Sequence, residues 1–450
     1  RDVAPSRGLG DVYKRQMRNP GMRGFGLPRL LAQLVVTTTD GRQTVIATDT
    51  SWRMMADGPI QTNNEFDGER YDATREMPGW SLAGYDDSRW RQAERVKTPA
   101  PVVRAQINPN IEVMDSVAPR SIYRTADGRY IMDMGQNMVG WLRIRLRGDE
   151  GDTLRLRFAE RMKDRDSLFM LNLRTALVTD TYVSAHKAAT WEPRFTLHGF
   201  RFVELSGFKR QPSLADIQGR VVYDRMATTG TFDTSDPTIN AVYHCAVWGI
   251  RGNYRGIPTD CPQRNERLGW TADTQVFAET GTFFASTRQF FHKWMRDMRD
   301  TQSPQGGFPG VAPMGQYGST NGDMMRLGWA DAGVIVPWVV WKQFADRQIV
   351  DENWEAMEKF VGHINDTKYD HKALSKENSD YQWADWLSYE PLESCGGGID
   401  MTDGQGRRVR RPETYVYWNY LSACYWAMDA GMMRDMARAT GRDAAKYEAM

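Results

Sequence analysis

The spacing of apolar residues changes near Thr228, from every second position to every third or fourth. Strands and helices bury their apolar faces with different periods, so such a chain folds as a β-rich part followed by a helical part. Upstream, Leu142, Ile144 and Leu146 alternate with Arg143, Arg145 and Arg147, and Leu154, Leu156 and Phe158 alternate with Arg155 and Arg157. Gly148-Asp149-Glu150-Gly151-Asp152 lies between them and is turn-rich. The spacing therefore predicts a hairpin with one buried and one solvated face, its arginines forming a charged exposed surface. Val35-Val36-Thr37-Thr38-Thr39 and Gln43-Thr44-Val45-Ile46-Ala47 read as further strands. A proline-rich stretch, Pro99-Ala100-Pro101, divides this region into two β-sandwiches, residues 17–110 and 111–223.

Downstream, Asp236-Pro237 is a helix-start signal, and a helix is predicted over Asn240 to Arg251. Three stripes keep helical spacing: Phe291, Trp294, Met295 and Met298; Trp354, Met357, Val361 and Ile364; Tyr417, Leu421, Cys424 and Met428. Each reads as core. Glycine-rich stretches at 306–307, 315–322 and 396–398 separate the helices. Repeated helices with long loops predict an all-α barrel or toroid over residues 228–450, its loops lining a cleft.

One loop concentrates the chemistry. Residues 258–273 read Pro-Thr-Asp-Cys-Pro-Gln-Arg-Asn-Glu-Arg-Leu-Gly-Trp-Thr-Ala-Asp and hold Asp260, Arg264, Glu266, Arg267, Trp270 and Asp273. Carboxylates that exchange protons, guanidinium groups that grip hydroxyls and an aromatic face that stacks on a ring are what a sugar-cleaving site needs. Pro258 and Pro262 break regular structure, so an ordered loop feeding a helix is predicted. The structural alternatives are an ion pair of Glu266 with Arg264 or Arg267, a loop-bracing pair of Asp260 with Arg264, and helix capping or a salt bridge for Asp273. His198 and His292 read as structural histidines.

This loop resembles the signature of the bacterial α-L-rhamnosidases of glycoside hydrolase family 78, departing from it at Ala272, where glycine is usual. The resemblance extends to Phe66-Asp67-Gly68-Glu69-Arg70-Tyr71-Asp72-Ala73, Asp133-Met134-Gly135-Gln136-Asn137-Met138-Val139-Gly140-Trp141, His198-Gly199-Phe200-Arg201-Phe202-Val203, Gly328-Trp329-Ala330-Asp331-Ala332 and Ala384-Asp385-Trp386-Leu387. It implies two β-sandwich domains followed by an (α/α)6 toroid. It implies inverting hydrolysis of terminal α-L-rhamnose from glycosides or polysaccharides, with Glu266 as general acid. Asp260, Arg264, Trp270, Asp273, Trp329, Asp331, Asp385 and Trp386 would contact the sugar, the three tryptophans walling its methyl group. Asp273 would share a face with Glu266 if the helix has begun by then. A general acid must keep its proton near neutrality; Trp270 would favour this and Arg264 and Arg267 oppose it. The family's general base is a glutamate that alignment places beyond Met450, so no base is assigned and the 450-residue chain is expected to hydrolyse poorly. Two alternatives stand beside this reading: another sugar specificity on the same barrel, and a carbohydrate-binding protein without catalysis.

Fifty-eight basic and fifty-seven acidic residues nearly cancel, which favours neither nucleic acid nor an anionic membrane as partner. No apolar run approaches a membrane span. Four widely spaced cysteines form no metal pattern or disulfide framework. No metal or other cofactor is implied, and a homodimer is left open. Residues 1–16 lack periodicity and look like translated adapter sequence. The helical pattern runs into Met450 without a stop signal. The expectation is thus a chain truncated within its last domain, with the compartment open among periplasmic, extracellular and cytoplasmic.

Overall fold

The structure is a computed structural model that describes residues 29–97, 104–146, 148–185, 188–313, 327–367, 401–402, 408–409 and 412–450. By internal packing the chain divides into two units. The first comprises residues up to Ala105, Val113–Val222 and Pro262–Asn265; the second comprises Gln106–Glu112, Tyr223–Cys261 and Glu266–Met450.

The first unit begins with an antiparallel pair, β1 (Gln33–Thr37) and β2 (Gln43–Ala47). Its centre is a ten-stranded sheet. In chain order these strands are β3 (Ile60–Asn64), β4 (Gly68–Asp72), β5 (Ile111–Val117), β6 (Ser121–Arg124), β7 (Tyr130–Leu146), β8 (Thr153–Ala159), β9 (Thr179–Val183), β10 (Ala189–Trp191), β11 (His198–Ser206) and β12 (Ile217–Asp224). The spatial order is β3-β4-β9-β8-β11-β7-β12-β5, with β6 and β10 also pairing β7.

The alternation read from sequence decides which side chains are buried. Leu142, Ile144, Leu146, Leu154, Leu156 and Phe158 are all buried. Outward arginines pair with acids, Arg145 with Asp216 and Arg157 with Glu204. The predicted hairpin does not form, however. β11 lies between β7 and β8 and is antiparallel to both. Period-two alternation assigns a strand's faces but carries no information about its neighbour. One parallel pair, β4 with β9, joins strands from either side of residue 110 in this sheet.

In the second unit the described residues form seven α-helices: α1 (Pro237–Asn253), α2 (Thr271–Phe284), α3 (Arg288–Asp300), α4 (Ala332–Phe344), α5 (Arg347–Thr367), α6 (Pro412–Thr440) and α7 (Ala445–Ala449). Asp236 caps α1, accepting from Thr238 N (2.7 Å) and Ile239 N (3.4 Å), with Pro237 in the first turn. Two predicted stripes face the core: Phe291, Trp294, Met295 and Met298 on α3, and Met357, Val361 and Ile364 on α5 beside the half-buried Trp354. The third needs correction. Cys424 and Met428 are exposed, and α6 instead buries Ser422, Asp429, Ala430, Met433, Met436 and Ala437. The described part of α6 carries apolar residues on several faces, so periodicity alone does not select the buried one.

Candidate active site

The loop between α1 and α2 is closed on itself at Asp260. Asp260 N–H donates to Leu268 O (2.9 Å), and Leu268 N–H donates back to Asp260 Oδ1 (2.8 Å). The far side of the loop is tied to a second chain segment. Ala312 N–H donates to Gly269 O, and both the amide and hydroxyl of Thr271 donate to Gly310 O, each at 2.9 Å. Trp294 of α3 donates its Nε1–H to Ala312 O at 2.9 Å, anchoring that segment in the helical core.

These constraints set the carboxylates. Trp270 Nε1–H donates to Glu266 Oε1 at 3.0 Å, so the indole orients this carboxyl by a hydrogen bond. One side-chain atom each of Asp260, Cys261 and Glu266 lies within 4.8 Å of the others. α2 begins only at Thr271, so Glu266 belongs to the loop and shares no helical face with Asp273. Asp273 is exposed in the first turn of α2.

A cavity of about 650 Å³ opens within the second unit. Asp260, Asp273 and Trp329 line it, together with Asn253, Tyr254 and Tyr425. A cavity of this size, mixing aromatic faces with a few polar groups, suits a small ligand such as a monosaccharide. Glu266 does not line it but lies beside Asp260, which does.

The other predicted residues are placed as follows. Arg264 lies in the Pro262–Asn265 segment that packs with the first unit. There Asn265 Nδ2 donates to Thr175 Oγ1 (2.5 Å). Burial raises the Glu160 carboxyl, while a hydrogen bond from Asn137 (3.0 Å) and the Arg264 charge oppose that rise. Asp331 is fully buried; it accepts Gly328 N–H and does not line the cavity. Asp385 and Trp386 lie outside the described residues. His198 is buried against Asp180 (3.1 Å), and His292 bridges Asp346 (2.7 Å) and Glu352 (2.9 Å), both structural roles. Glu160, Tyr425 and Asp429 carried no local signal, being single residues in ordinary strand-edge or helix sequence.

The helical part matches the sequence model of the bacterial α-L-rhamnosidase 6 hairpin glycosidase domain over residues 227–450. Residues 123–223 match the bacterial α-L-rhamnosidase concanavalin-like domain and 8–115 the α-L-rhamnosidase N-terminal domain. The chain belongs to the bacterial α-L-rhamnosidase family. The N-terminal match begins at residue 8, within the segment 1–16 that lacks periodicity. An α-L-rhamnosidase of Streptomyces avermitilis is 35% identical over 423 residues, covering 93% of this chain and 38% of the relative. One of Formosa agariphila is 37% identical over 368 residues, covering 81% of this chain and 39% of the relative. The crystal structure of the Streptomyces avermitilis enzyme complexed with L-rhamnose aligns with a TM-score of 0.81 at 34% identity, over 93% of this chain and 38% of that one. That of the Dictyoglumus thermophilum enzyme aligns at 0.82 and 30% identity, over 94% and 45%. The chain thus spans about two fifths of the length of these curated relatives.

Proposed function

We propose that this chain carries the sugar-binding face and general acid of an inverting α-L-rhamnosidase. The observation that carries the reading is the loop 258–273, which seats Glu266 beside Asp260 at the edge of a monosaccharide-sized cavity and orients it through Trp270. Glu266 donates its proton to the leaving glycosidic oxygen. Asp260 and Asp273 accept from sugar hydroxyls, Arg264 donates to them, and Trp329 with Trp270 offers an apolar wall to the rhamnose methyl group. Asp385 and Trp386 are proposed for the same pocket from the family resemblance. An inverting acid–base pair needs roughly 6.5–9.5 Å between carboxyls to lodge the attacking water. Asp260, within 4.8 Å of Glu266, is too close for that and is assigned to binding. We assign no base.

The two-sandwich reading of the β-rich part is kept in the same spirit, supported by the separate family matches to 8–115 and 123–223. So is the (α/α)6 toroid, supported by the six-hairpin match.

The test is binding first and turnover second. L-Rhamnose should quench tryptophan fluorescence of the chain saturably, and Asp260→Ala should abolish the response. Failure to bind L-rhamnose alongside saturable binding of another hexose would move the specificity elsewhere. Any hydrolysis of an aryl α-L-rhamnoside should fall by about 100-fold or more in Glu266→Gln, with sugar affinity retained. Equal turnover in that variant rejects Glu266 as the acid.

A further inference from the structure

The wall of the cavity at Leu327, Gly328 and Trp329 is held from behind. Gly328 O accepts from Gln275 Nε2 of α2 at 2.7 Å, and Gly328 N–H donates to Asp331 Oδ2 at the start of α4. Gly328 has a φ of 89°, a left-handed conformation that glycine adopts without strain, and the Tyr425 ring of α6 packs over it. The position of this wall therefore depends on where the Asp331 carboxyl points.

That carboxyl faces a second one. Asp429 of α6 is, like Asp331, fully buried, and the two side chains interact directly. Among the described residues no donor reaches either oxygen of Asp429 or Oδ1 of Asp331. Two ionised carboxylates cannot remain in contact without water or a cation, because their repulsion adds to the desolvation of each. One proton between them converts the contact into an O–H···O⁻ hydrogen bond, among the stronger kinds. Asp331 is the natural anion of the pair, since it accepts the Gly328 amide and sits at the N-terminus of α4. Asp429 then holds the proton.

We propose that Asp331 and Asp429 form a proton-sharing latch that positions the Gly328–Trp329 wall of the sugar cavity, and that loss of the shared proton to solvent releases the wall and weakens sugar binding. The inference rests on the reading that this cavity takes the sugar. Burial holds both carboxyls above the ordinary carboxylate range, and the Asp331 charge raises that of Asp429 further. Among the described residues the titratable group facing the pair is the Tyr425 hydroxyl of α6, itself raised by burial and by both acids; α2 presents the neutral Gln275, and α4 its first-turn amides. Asp331 and Asp429 are positioning residues, placed outside the cavity lining.

The test is hydrogen exchange of the Leu327–Trp329 peptide in the full chain, corrected for intrinsic base catalysis, across a pH series rising from neutrality to the alkaline limit at which the chain stays folded. Wild type should lose protection by about tenfold or more across that range. Asp429→Asn replaces the shared proton with an amide donor that does not titrate, so its protection should stay flat. Asp331→Asn donates to the Asp429 carboxylate while its oxygen still accepts Gly328 N–H, and serves as the second variant should the first not fold. A flat wild-type profile, or the same pH dependence in wild type and variant, overturns the latch. L-Rhamnose titration separates the two readings: affinity should fall with pH in wild type and not in Asp429→Asn. Absence of L-rhamnose binding at every pH, with exchange behaving as stated, rejects the sugar assignment and leaves the latch standing.

Discussion

Gly269 has no room for a side chain, because a β-carbon there would overlap the carbonyl oxygen of Ala312. The same residue accepts Ala312 N–H, one residue before the indole that orients Glu266. Gly269→Ala should therefore separate the two segments and lower stability by about 2–4 kcal/mol in denaturant unfolding, by overpacking and loss of the backbone bond. L-Rhamnose binding should be lost with it. Trp270→Phe is the finer probe, since it keeps an aromatic ring and removes the Nε1–H bond to Glu266. The melting temperature should hold while any rhamnoside turnover falls by roughly tenfold, as expected for one hydrogen bond. An unchanged turnover would show that the indole packs against the acid without orienting it.

At the scale of elements, local signals and packing divide the work differently from helix to helix. α1 starts where its cap says it should, and Asp236→Ala should cost about 1 kcal/mol, measurable by urea unfolding. α3 inserts Met298 fully into the core, so Met298→Ala should cost about 2–5 kcal/mol, depending on how far the site collapses. A cost near zero would mean that the α3 stripe is not a core stripe. α6 shows the opposite case: an apolar stripe at correct spacing lies partly outside the core, while Asp429 lies inside it. The strands repeat that lesson. β8 kept its predicted faces, yet its partners are β9 and β11, which come later in the chain than the β7 strand it was expected to join.

Over the whole molecule, the buried acids set the response to pH. In the first unit Glu69 is 1% exposed, with Arg194 N–H (3.2 Å) and Asn63 (2.8 Å) donating to its Oε2. Burial raises its carboxyl from the ordinary 4.5 to about 7, and the Asp180 charge adds to the rise. Between those values the folded state binds more protons than the unfolded state, so stability is full below about 4.5 and declines as pH rises through about 7. Glu69→Gln should remove that part of the slope, which the urea midpoint at a series of pH values measures; an unchanged slope would assign it to other groups. Asp331 titrates with the same sign in the second unit, so Glu69→Gln and Asp331→Asn should act additively on the pH profile of unfolding.

The amino-acid sequence by itself determined the β-then-α division, the inward and outward faces of β7 and β8, the start of α1, the α3 stripe and the loop that brings Glu266, Asp260 and Trp270 together. All of these are short-range: they depend on periodicity, on a cap, or on residues close enough in the chain to meet whatever surrounds them. Only the tertiary structure decided that β11 separates β7 from β8, which face of α6 is buried, that Asp273 and Trp329 share one cavity, and that Asp429 meets Asp331. Those contacts join residues far apart in the chain, and nothing in a residue's own neighbourhood specifies a distant partner. Compact packing selects it by burying apolar faces and leaving buried polar groups paired.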